Sequence, residues 1–228
     1  MNKCVEVGIA CLTASVPEHN GKQARNILAS WANDDTIDGI IIQRPSAFES
    51  LQHLIPPSKD VDGAMVDAEF DPCTPRGIMH LLHSTNVDLE GKHAVVIGRS
   101  DTVGKPMAEM LLEADCTVTT CHSRTENLAD YTRTADILVC AVGQANLVTA
   151  DMVKPGAIVI DVGINRIPDP ENPDKTKLVG DVDYPLVKEV AGWITPVPGG
   201  VGPMTVATLL DNVWRAHAEK HPDKILYT

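Results

Sequence analysis

The sequence lacks several features that would each indicate a particular class of protein. It contains six cysteines in 228 residues, but no CxxC pair, which disfavours a structural zinc site. No basic segment followed by an apolar stretch opens the chain, so we expect no secretory signal peptide. The longest apolar runs have the length of a strand and predict no membrane span. We therefore predict a cytoplasmic protein with free thiols and no metal ion.

Positive charge is also scarce. Lysine and arginine total 19 against 31 aspartates and glutamates, which gives a net charge of −12. This excess of negative charge disfavours nucleic acid or an anionic membrane as a partner, and any anionic ligand must be held by a local site. Hydrophobic residues make up 43% and charged residues 22% of the chain, a composition typical of globular proteins with one large or two small domains.

Short apolar runs rich in β-branched residues predict buried parallel strands, and stretches with apolar residues three and four apart predict helices between them. The predicted strands are Gly39–Gln43, Ala94–Gly98, Cys116–Cys121, Ile137–Val142 and Ala157–Val162. The predicted helices are Lys22–Ala32, Arg76–His83, Pro106–Ala114 and Met204–Lys220. This alternation predicts an α/β fold with a mostly parallel sheet. The segment Asn165–Lys177 is rich in Pro, Asp and Asn, and it predicts an exposed loop.

A glycine-containing turn follows the predicted strand Ala94–Gly98. The segment GRSDTVGKP begins at Gly98, and a helix is expected from about Gly104, which is the layout of a dinucleotide-binding turn. The spacing is not GxGxxG, because Ser100 occupies the middle position. Taken alone, the segment fits a structural turn equally well.

The end of the next strand favours NADP over NAD. NAD-selective folds usually place an acid there for the ribose hydroxyls, but this chain reads CHSR and has no acid before Glu126. Ser123, Arg124 and Arg99 offer a hydroxyl and two guanidinium groups, which suit a 2′-phosphate. The alternative is that both arginines are solvated surface charges.

Further motifs carry a resemblance to a known family over essentially the whole chain. KDVDG at Lys59–Gly63, PCTPRG at Pro72–Gly77, VIDVGIN at Val159–Asn165 and TPVPGGVGPMT at Thr195–Thr205 stand in the same order as in the methylenetetrahydrofolate dehydrogenase/cyclohydrolase family. The resemblance implies two α/β domains with a cleft between them, over 1–88 with 204–228 and over 89–203. The second is implied to be a Rossmann-type NADP-binding domain, and the last helix to pack back on the first domain.

The resemblance also implies an activity and its site residues. It implies oxidation of 5,10-methylenetetrahydrofolate with NADP and hydrolysis of the product to 10-formyltetrahydrofolate, by a homodimer of one-carbon metabolism. Gln43 matches an active-site glutamine, and Asp62 matches the acid that holds the pterin ring. The residues implied beside folate are Pro198, Gly199, Gly200, Val201 and Gly202, and those implied at the nucleotide are Gly98, Arg99, Ser100, Ser123, Arg124 and Ile164.

The family's catalytic tyrosine and lysine have no counterpart in this sequence. Counted back from Val7-Gly8-Ile9, they would fall before Met1, and Lys3 is out of register. We therefore expect the chain as given to be impaired in the cyclohydrolase step. Arg44 also departs from the family, which usually has QLPLP where this chain has QRPS.

Other interpretations stay open from sequence alone. Asp62 could cap a turn, Gln43 could satisfy backbone groups, and Gly199–Gly202 could be only a tight turn. His80 and His83 could suggest a metal pair, although no third ligand is in sight. The chain could be a non-catalytic folate- or NADP-binding relative, or a dehydrogenase of another small metabolite.

Overall fold

Five parallel strands form the centre of one part of the chain. The computed structural model describes residues 2–169 and 172–224. The chain divides into two compact units. One unit combines Met1–Cys73 with Thr208–Thr228, and the other is Thr74–Ala207. These five strands are β1 (His93–Ile97), β2 (Thr117–Cys121), β3 (Ile137–Cys140), β4 (Ile158–Asp161) and β7 (Trp193–Ile194), and two further strands, β5 (Asn165–Asp169) and β6 (Asn172–Val179), pair separately. The helices are α1 (Asn2–Glu6), α2 (Gly21–Ala32), α3 (Cys73–Ser84), α4 (Gly104–Glu113), α5 (Leu128–Thr132), α6 (Tyr184–Val187) and α7 (Val201–Lys220). Short 3-10 helices cover Glu49–Leu54, Pro57–Lys59, Ala150–Met152 and Pro222–Lys224.

The sheet of the unit Thr74–Ala207 has the strand order β2-β1-β3-β4-β7, and every neighbouring pair is parallel. Alternate residues of β1 face two different apolar clusters: Ala94 and Val96 pack with α3 and α4, whereas Val95 and Ile97 pack on the other face. Both faces of the sheet are therefore covered, which explains why these strands read as continuous apolar runs. The α/β fold and the four predicted strands of this unit are confirmed.

The predicted exposed loop at Asn165–Lys177 was wrong. β5 and β6 pair antiparallel in a two-stranded ribbon with an irregularity between Pro168 and Asp169. Proline is tolerated there because each strand has only one neighbour, so a missing N–H need not interrupt a ladder. The sequence also gave no signal for β7, which is only two residues long.

The unit Met1–Cys73 with Thr208–Thr228 contains no strand among its described residues, so the predicted strand Gly39–Gln43 was wrong. Ile40 makes a single parallel bridge to Asp60. It is buried in a small core with Ala24 and Leu28 of α2 and with the 3-10 segment Glu49–Leu54. Burial by helices rather than strand pairing accounts for the apolar run.

The last helix contributes to both units. α7 begins at Val201, and its residues from Thr208 onward belong to the first unit. In that unit the side-chain amide of Asn212 donates to the carbonyl oxygens of Val61 at 2.9 Å and Asp71 at 3.1 Å. The domain boundaries at 88/89 and 203/204 stay a prediction; in the structure, α3 from Thr74 onward lies with the second unit.

All six cysteines are free thiols, as predicted. No helix in the described part of the chain is both long and apolar enough to cross a membrane.

Candidate active site

The strand order reverses at β1, and the predicted cofactor residues other than Ile164 follow β1 and β2. β1 lies between β2 and β3, so the loops that follow these strands leave the same edge of the sheet. The Gly98 N–H donates to the Cys121 carbonyl, and the Ala141 N–H donates to the Ile97 carbonyl, both over 2.8 Å. Ligands of open α/β sheets bind beside the carboxyl ends of strands where the order reverses.

Gly98 makes the tight turn after β1. Its φ is +122°, and a Cβ atom there would collide with the carbonyl oxygen of Ala141. Only glycine fits such a position without strain. The Ser100 hydroxyl oxygen then accepts hydrogen bonds from the N–H groups of Val103 at 3.2 Å and Gly104 at 3.3 Å, where α4 begins. The turn therefore brings the backbone and the exposed Ser100 hydroxyl to the N-terminus of α4. A dinucleotide diphosphate binds at such a helix N-terminus.

Two arginines follow the ends of β1 and β2. The register pairs Ile97 with Cys121, so Arg99 and Arg124 leave adjacent strand ends. Both residues are exposed, and neither guanidinium has a hydrogen-bond or ion-pair partner within residues 2–169 and 172–224. Ser123 is also exposed. Two cations and a hydroxyl that lack side-chain partners among the described residues fit an anionic group beside the turn.

A buried carboxylate holds the loop after β3. Asp181 is fully buried, and its carboxylate accepts one hydrogen bond from a side chain, the Asn165 amide, at 3.0 Å. The other donors to it are the backbone N–H groups of Val142 at 2.7 Å, Gly143 at 3.0 Å and Gln144 at 2.8 Å. The loop at the carboxyl end of β3 is thereby fixed from inside, with Val142 and Gly143 left exposed to a ligand.

A second buried carboxylate lies next to the first. Asp161 ends β4 and accepts hydrogen bonds from the N–H groups of Gly163 at 3.0 Å, Asp181 at 2.8 Å and Val182 at 3.0 Å. Within the described residues neither Asp161 nor Asp181 has a lysine, arginine or histidine partner. Burial, together with the nearby Asp181 charge, raises the pKa of Asp161 to about 6 despite these bonds. Burial and both carboxylates also raise the pKa of the Cys140 thiol on β3.

Ile164, the predicted contact at the nicotinamide end, follows this network directly. Its side chain is 68% exposed, although the preceding Gly163 lies so close to Asp181 that a Cβ atom would collide with the carboxylate. An exposed apolar side chain beside a fixed turn is suited to contact a flat ring. The sequence motif VIDVGIN predicted Ile164 but not the role of Asp161 in supporting it.

The predicted glycine loop precedes α7. Pro198 and Gly199 are exposed, the Gly200 N–H donates to the Pro196 carbonyl at 2.9 Å, and Gly202 is exposed in the first turn of the helix. Val201 differs from these neighbours, because it is buried in the core of the sheet unit with Ile78 and Leu82 of α3. Val201 thus anchors the loop, while its neighbours remain accessible.

In the other unit, Asp62 lies beside an arginine that the sequence did not predict as functional. Burial raises the pKa of the Asp62 carboxyl, and the Arg44 guanidinium and a hydrogen bond from Cys73 partly oppose that rise. The Arg44 Nε atom is buried without a hydrogen-bond partner in the described part of the chain. An unsatisfied buried donor next to a half-buried carboxylate indicates room for a polar ligand. QRPS in place of QLPLP was the available signal.

Gln43, next to Arg44, is exposed. No hydrogen bond joins it to Asp62 or to any other residue that the structure describes. The structure thus brings Asp62 and Arg44 together and shows no hydrogen bond between Gln43 and either of them. This leaves the Gln43 amide available to a ligand, and its predicted role stays a prediction.

The cofactor turn and the folate-site residues are features of a chain that is similar to one known protein family. Residues 72–221 match the family described as tetrahydrofolate dehydrogenase/cyclohydrolase, NAD(P)-binding domain, over more than half of the chain. The chain belongs to this family. The Bifunctional protein FolD of Variovorax paradoxus is 50% identical over 230 residues, covering 95% of this chain and 79% of that relative.

Two solved structures share the fold. The bifunctional methylenetetrahydrofolate dehydrogenase/cyclohydrolase of Campylobacter jejuni is similar with a TM-score of 0.88 and 42% identity, covering 96% of this chain and 81% of that one. The Trypanosoma brucei enzyme, solved with NADP and an inhibitor, has a TM-score of 0.89 and 32% identity, covering 98% and 81%. The Rossmann-type organisation of the sheet unit is therefore that of the family.

Proposed function

We propose that this chain is an NADP-dependent methylenetetrahydrofolate dehydrogenase and methenyltetrahydrofolate cyclohydrolase. The observation that carries the proposal is the Gly98 turn at the reversal of the strand order. It is flanked by Arg99 and Arg124, whose guanidinium groups have no partner in the described part of the chain. It lies in a chain that belongs to the family. A bound dinucleotide would supply the acceptor for a hydride from the methylene carbon of the folate.

The residues of the sheet unit fit NADP. The turn Gly98–Ser100 would lie against the diphosphate, and Arg99 with Ser123 and Arg124 would hold the 2′-phosphate through charge-assisted hydrogen bonds. At the other end of the cofactor, Ile164 would contact the nicotinamide. Asp181 would hold the loop after β3 in place beside the cofactor. The rate of hydride transfer depends mainly on such positioning and on exclusion of water.

The residues of the other unit fit a folate. A pterin presents an amino group and ring N–H groups to which the Asp62 carboxylate can be a double acceptor. The buried Arg44 Nε could donate to a pterin oxygen or nitrogen. Gln43 would lie at the reacting end of the substrate. By resemblance to the family, the loop Pro198–Gly202, with Val201 as its anchor, is proposed as a folate contact.

The second activity adds water to the methenyl product and opens its ring to 10-formyltetrahydrofolate. This step requires transfer of protons, for which general acid–base groups typically contribute about 10²–10⁴ in rate. The expected impairment of this step in the chain as given stays a prediction. A homodimer in the cytoplasm is also proposed by resemblance to the family.

The alternatives have less support. A non-catalytic folate- or NADP-binding relative would keep the same binding groups, but it is disfavoured because similar proteins, such as that of Variovorax paradoxus, are bifunctional enzymes. A dehydrogenase of another small metabolite is disfavoured because the chain belongs to the folate family.

The proposal is tested by the stoichiometry of the reaction. Purified protein is incubated with 5,10-methylenetetrahydrofolate and NADP, and NADPH is measured together with the sum of methenyl- and 10-formyltetrahydrofolate. Equal amounts of reduced cofactor and oxidised folate are expected. Binding of both ligands without any turnover would instead support the non-catalytic relative.

A further inference from the structure

Two histidines at the end of α7 lie one helical turn apart, and neither is assigned to the reaction. His217 is in the last turn of the helix, and His221 follows its last residue, Lys220. Their ring centroids are 4.5 Å apart, so the four-residue spacing places both imidazoles on the same side of the helix. One imidazole nitrogen from each ring could therefore bind the same ion.

A carboxylate from a distant part of the chain completes the cluster. The Asp38 Oδ2 atom lies 2.8 Å from the His217 Nδ1 atom. One ligand atom from each of Asp38, His217 and His221 falls within 4.8 Å of the other two. Asp38 is half-buried, and all three residues belong to the same unit, so their spacing is a property of that unit alone.

We propose that Asp38, His217 and His221 form a binding site for a divalent transition metal such as Zn²⁺, Co²⁺ or Ni²⁺. Two imidazole nitrogens and one carboxylate oxygen are ligands that these ions prefer, and three protein ligands leave a fourth position for water. The negative end of the α7 macrodipole adds a favourable field for a cation at this place. A metal at the His217 Nδ1 atom requires the tautomer that carries the proton on Nε2, so binding replaces the hydrogen bond between His217 and Asp38.

Lys220 is the competing cation at this site. Its ammonium group lies 3.4 Å from the Asp38 Oδ1 atom and also donates to the Asp35 carbonyl oxygen. Lys220 therefore occupies one oxygen of the carboxylate and leaves Oδ2 for the metal. Its positive charge weakens the site without blocking it, so removal of the charge should strengthen metal binding.

The site would be structural rather than catalytic. A bound ion would tie Asp38, in the segment before Ile40, to the end of α7, almost the whole length of the chain away. It would thereby stabilise the unit Met1–Cys73 with Thr208–Thr228 through ligands that exist together only in the folded state. None of the three ligands is needed for the proposed reaction.

The test uses the full chain, freed of any affinity tag and of metal, titrated with Zn²⁺ by calorimetry and with Co²⁺ by visible absorption. We expect one ion per chain and the intense absorption of a tetrahedral Co²⁺ complex. His217→Gln and His221→Gln should each weaken binding by at least ~10-fold. The matched control is His80→Gln with His83→Gln, an exposed pair on α3 that should change nothing.

Lys220→Met provides a second test, because non-specific binding of Zn²⁺ would not become tighter in this variant. It removes a cation and should tighten Zn²⁺ binding several-fold while it leaves the ligands intact. The proposal is overturned if the wild-type chain shows no saturable binding, or if the control pair weakens it as much as the proposed ligands do.

Discussion

The backbone N–H of Asp181 donates to the buried carboxylate of Asp161 over 2.8 Å, and Asp181 in turn fixes the loop after β3. Two carboxylates thus lie together at the carboxyl ends of β3 and β4, held by N–H donors and without a cationic partner among residues 2–169 and 172–224. Such an arrangement stabilises a specific loop geometry at an electrostatic cost. Because of that cost, the contribution of the two carboxylates to the free energy of unfolding should depend on pH.

Asp161→Asn should change the pH dependence of stability. An ordinary aspartate has a pKa of 3.8, whereas that of folded Asp161 is about 6. Between these values the folded chain retains the proton, so the contribution of Asp161 to the free energy of unfolding falls by about 3 kcal/mol as the pH rises through this window. The charged or ionisable groups that face Asp161 are Asp181 and the Cys140 thiol.

The measurement is urea unfolding of wild type and Asp161→Asn over a pH series. The variant should gain stability relative to wild type from about pH 4 to about pH 7, whatever its offset at the acidic end. Asp151→Asn is the control, because a hydrogen bond from Thr149 lowers the pKa of that exposed carboxyl and reverses the sign. A constant difference between Asp161→Asn and wild type at every pH would contradict the account.

Gly98→Ala should destabilise the sheet unit and weaken NADP binding. The new methyl group would enter the space of the Ala141 carbonyl, and the positive φ adds a strain of about 1–3 kcal/mol. Gly21→Ala is the matched control, since its Cβ would meet nothing within 4 Å. Thermal unfolding with and without NADP compares the two variants. Equal unfolding temperatures of the two variants, with and without NADP, would contradict the argument for a tight turn at Gly98.

Arg99→Ala should weaken NADP binding while leaving NAD binding nearly unchanged. Loss of one exposed charge-assisted hydrogen bond to the 2′-phosphate is expected to cost about 1.5 kcal/mol, or roughly tenfold in Kd. Isothermal titration with both cofactors measures this difference. Arg133→Ala serves as control, because that exposed arginine pairs with Asp151 at 3.1 Å. Equal losses for NADP and NAD would show that Arg99 does not read the 2′-phosphate.

Asp62→Asn should raise the KM for the folate by roughly tenfold or more and leave the Kd for NADP unchanged, because the pterin loses a charged double acceptor. Asp67→Asn, an exposed acid in the same segment, is the control. Steady-state kinetics at fixed NADP give the answer. An unchanged KM in Asp62→Asn would reduce Asp62 to the turn cap that its sequence position also allows.

Local sequence predicted the helices well, but not where they begin. α3, α4 and α7 begin at Cys73, Gly104 and Val201, and each has a proline as its third residue. Proline in the first turn costs no hydrogen bond, because the first N–H groups of a helix have no partner within it. The starts expected from periodicity at Arg76, Pro106 and Met204 therefore came two or three residues late, whereas the glycine turn had predicted the start of α4 at about Gly104.

The supporting contacts of the site could not be read from the sequence. Asp161 and Asp181 are 20 residues apart and meet only because the ribbon β5–β6 returns the chain to the end of β4. Arg44 lies beside Asp62 because of the local fold of 44–62, which has no helical or strand periodicity. Motifs indicated the exposed groups, whereas these contacts depend on tertiary structure.

The most direct test is the initial rate of NADP reduction over a grid of 5,10-methylenetetrahydrofolate and NADP concentrations, repeated with NAD. The account predicts a rate that saturates in both substrates, with a kcat/KM for NADP well above that for NAD. Arg99→Ala should alter only the cofactor dependence, and Asp62→Asn only the folate dependence. A chain that binds NADP but shows no folate-dependent reduction would contradict the proposed function.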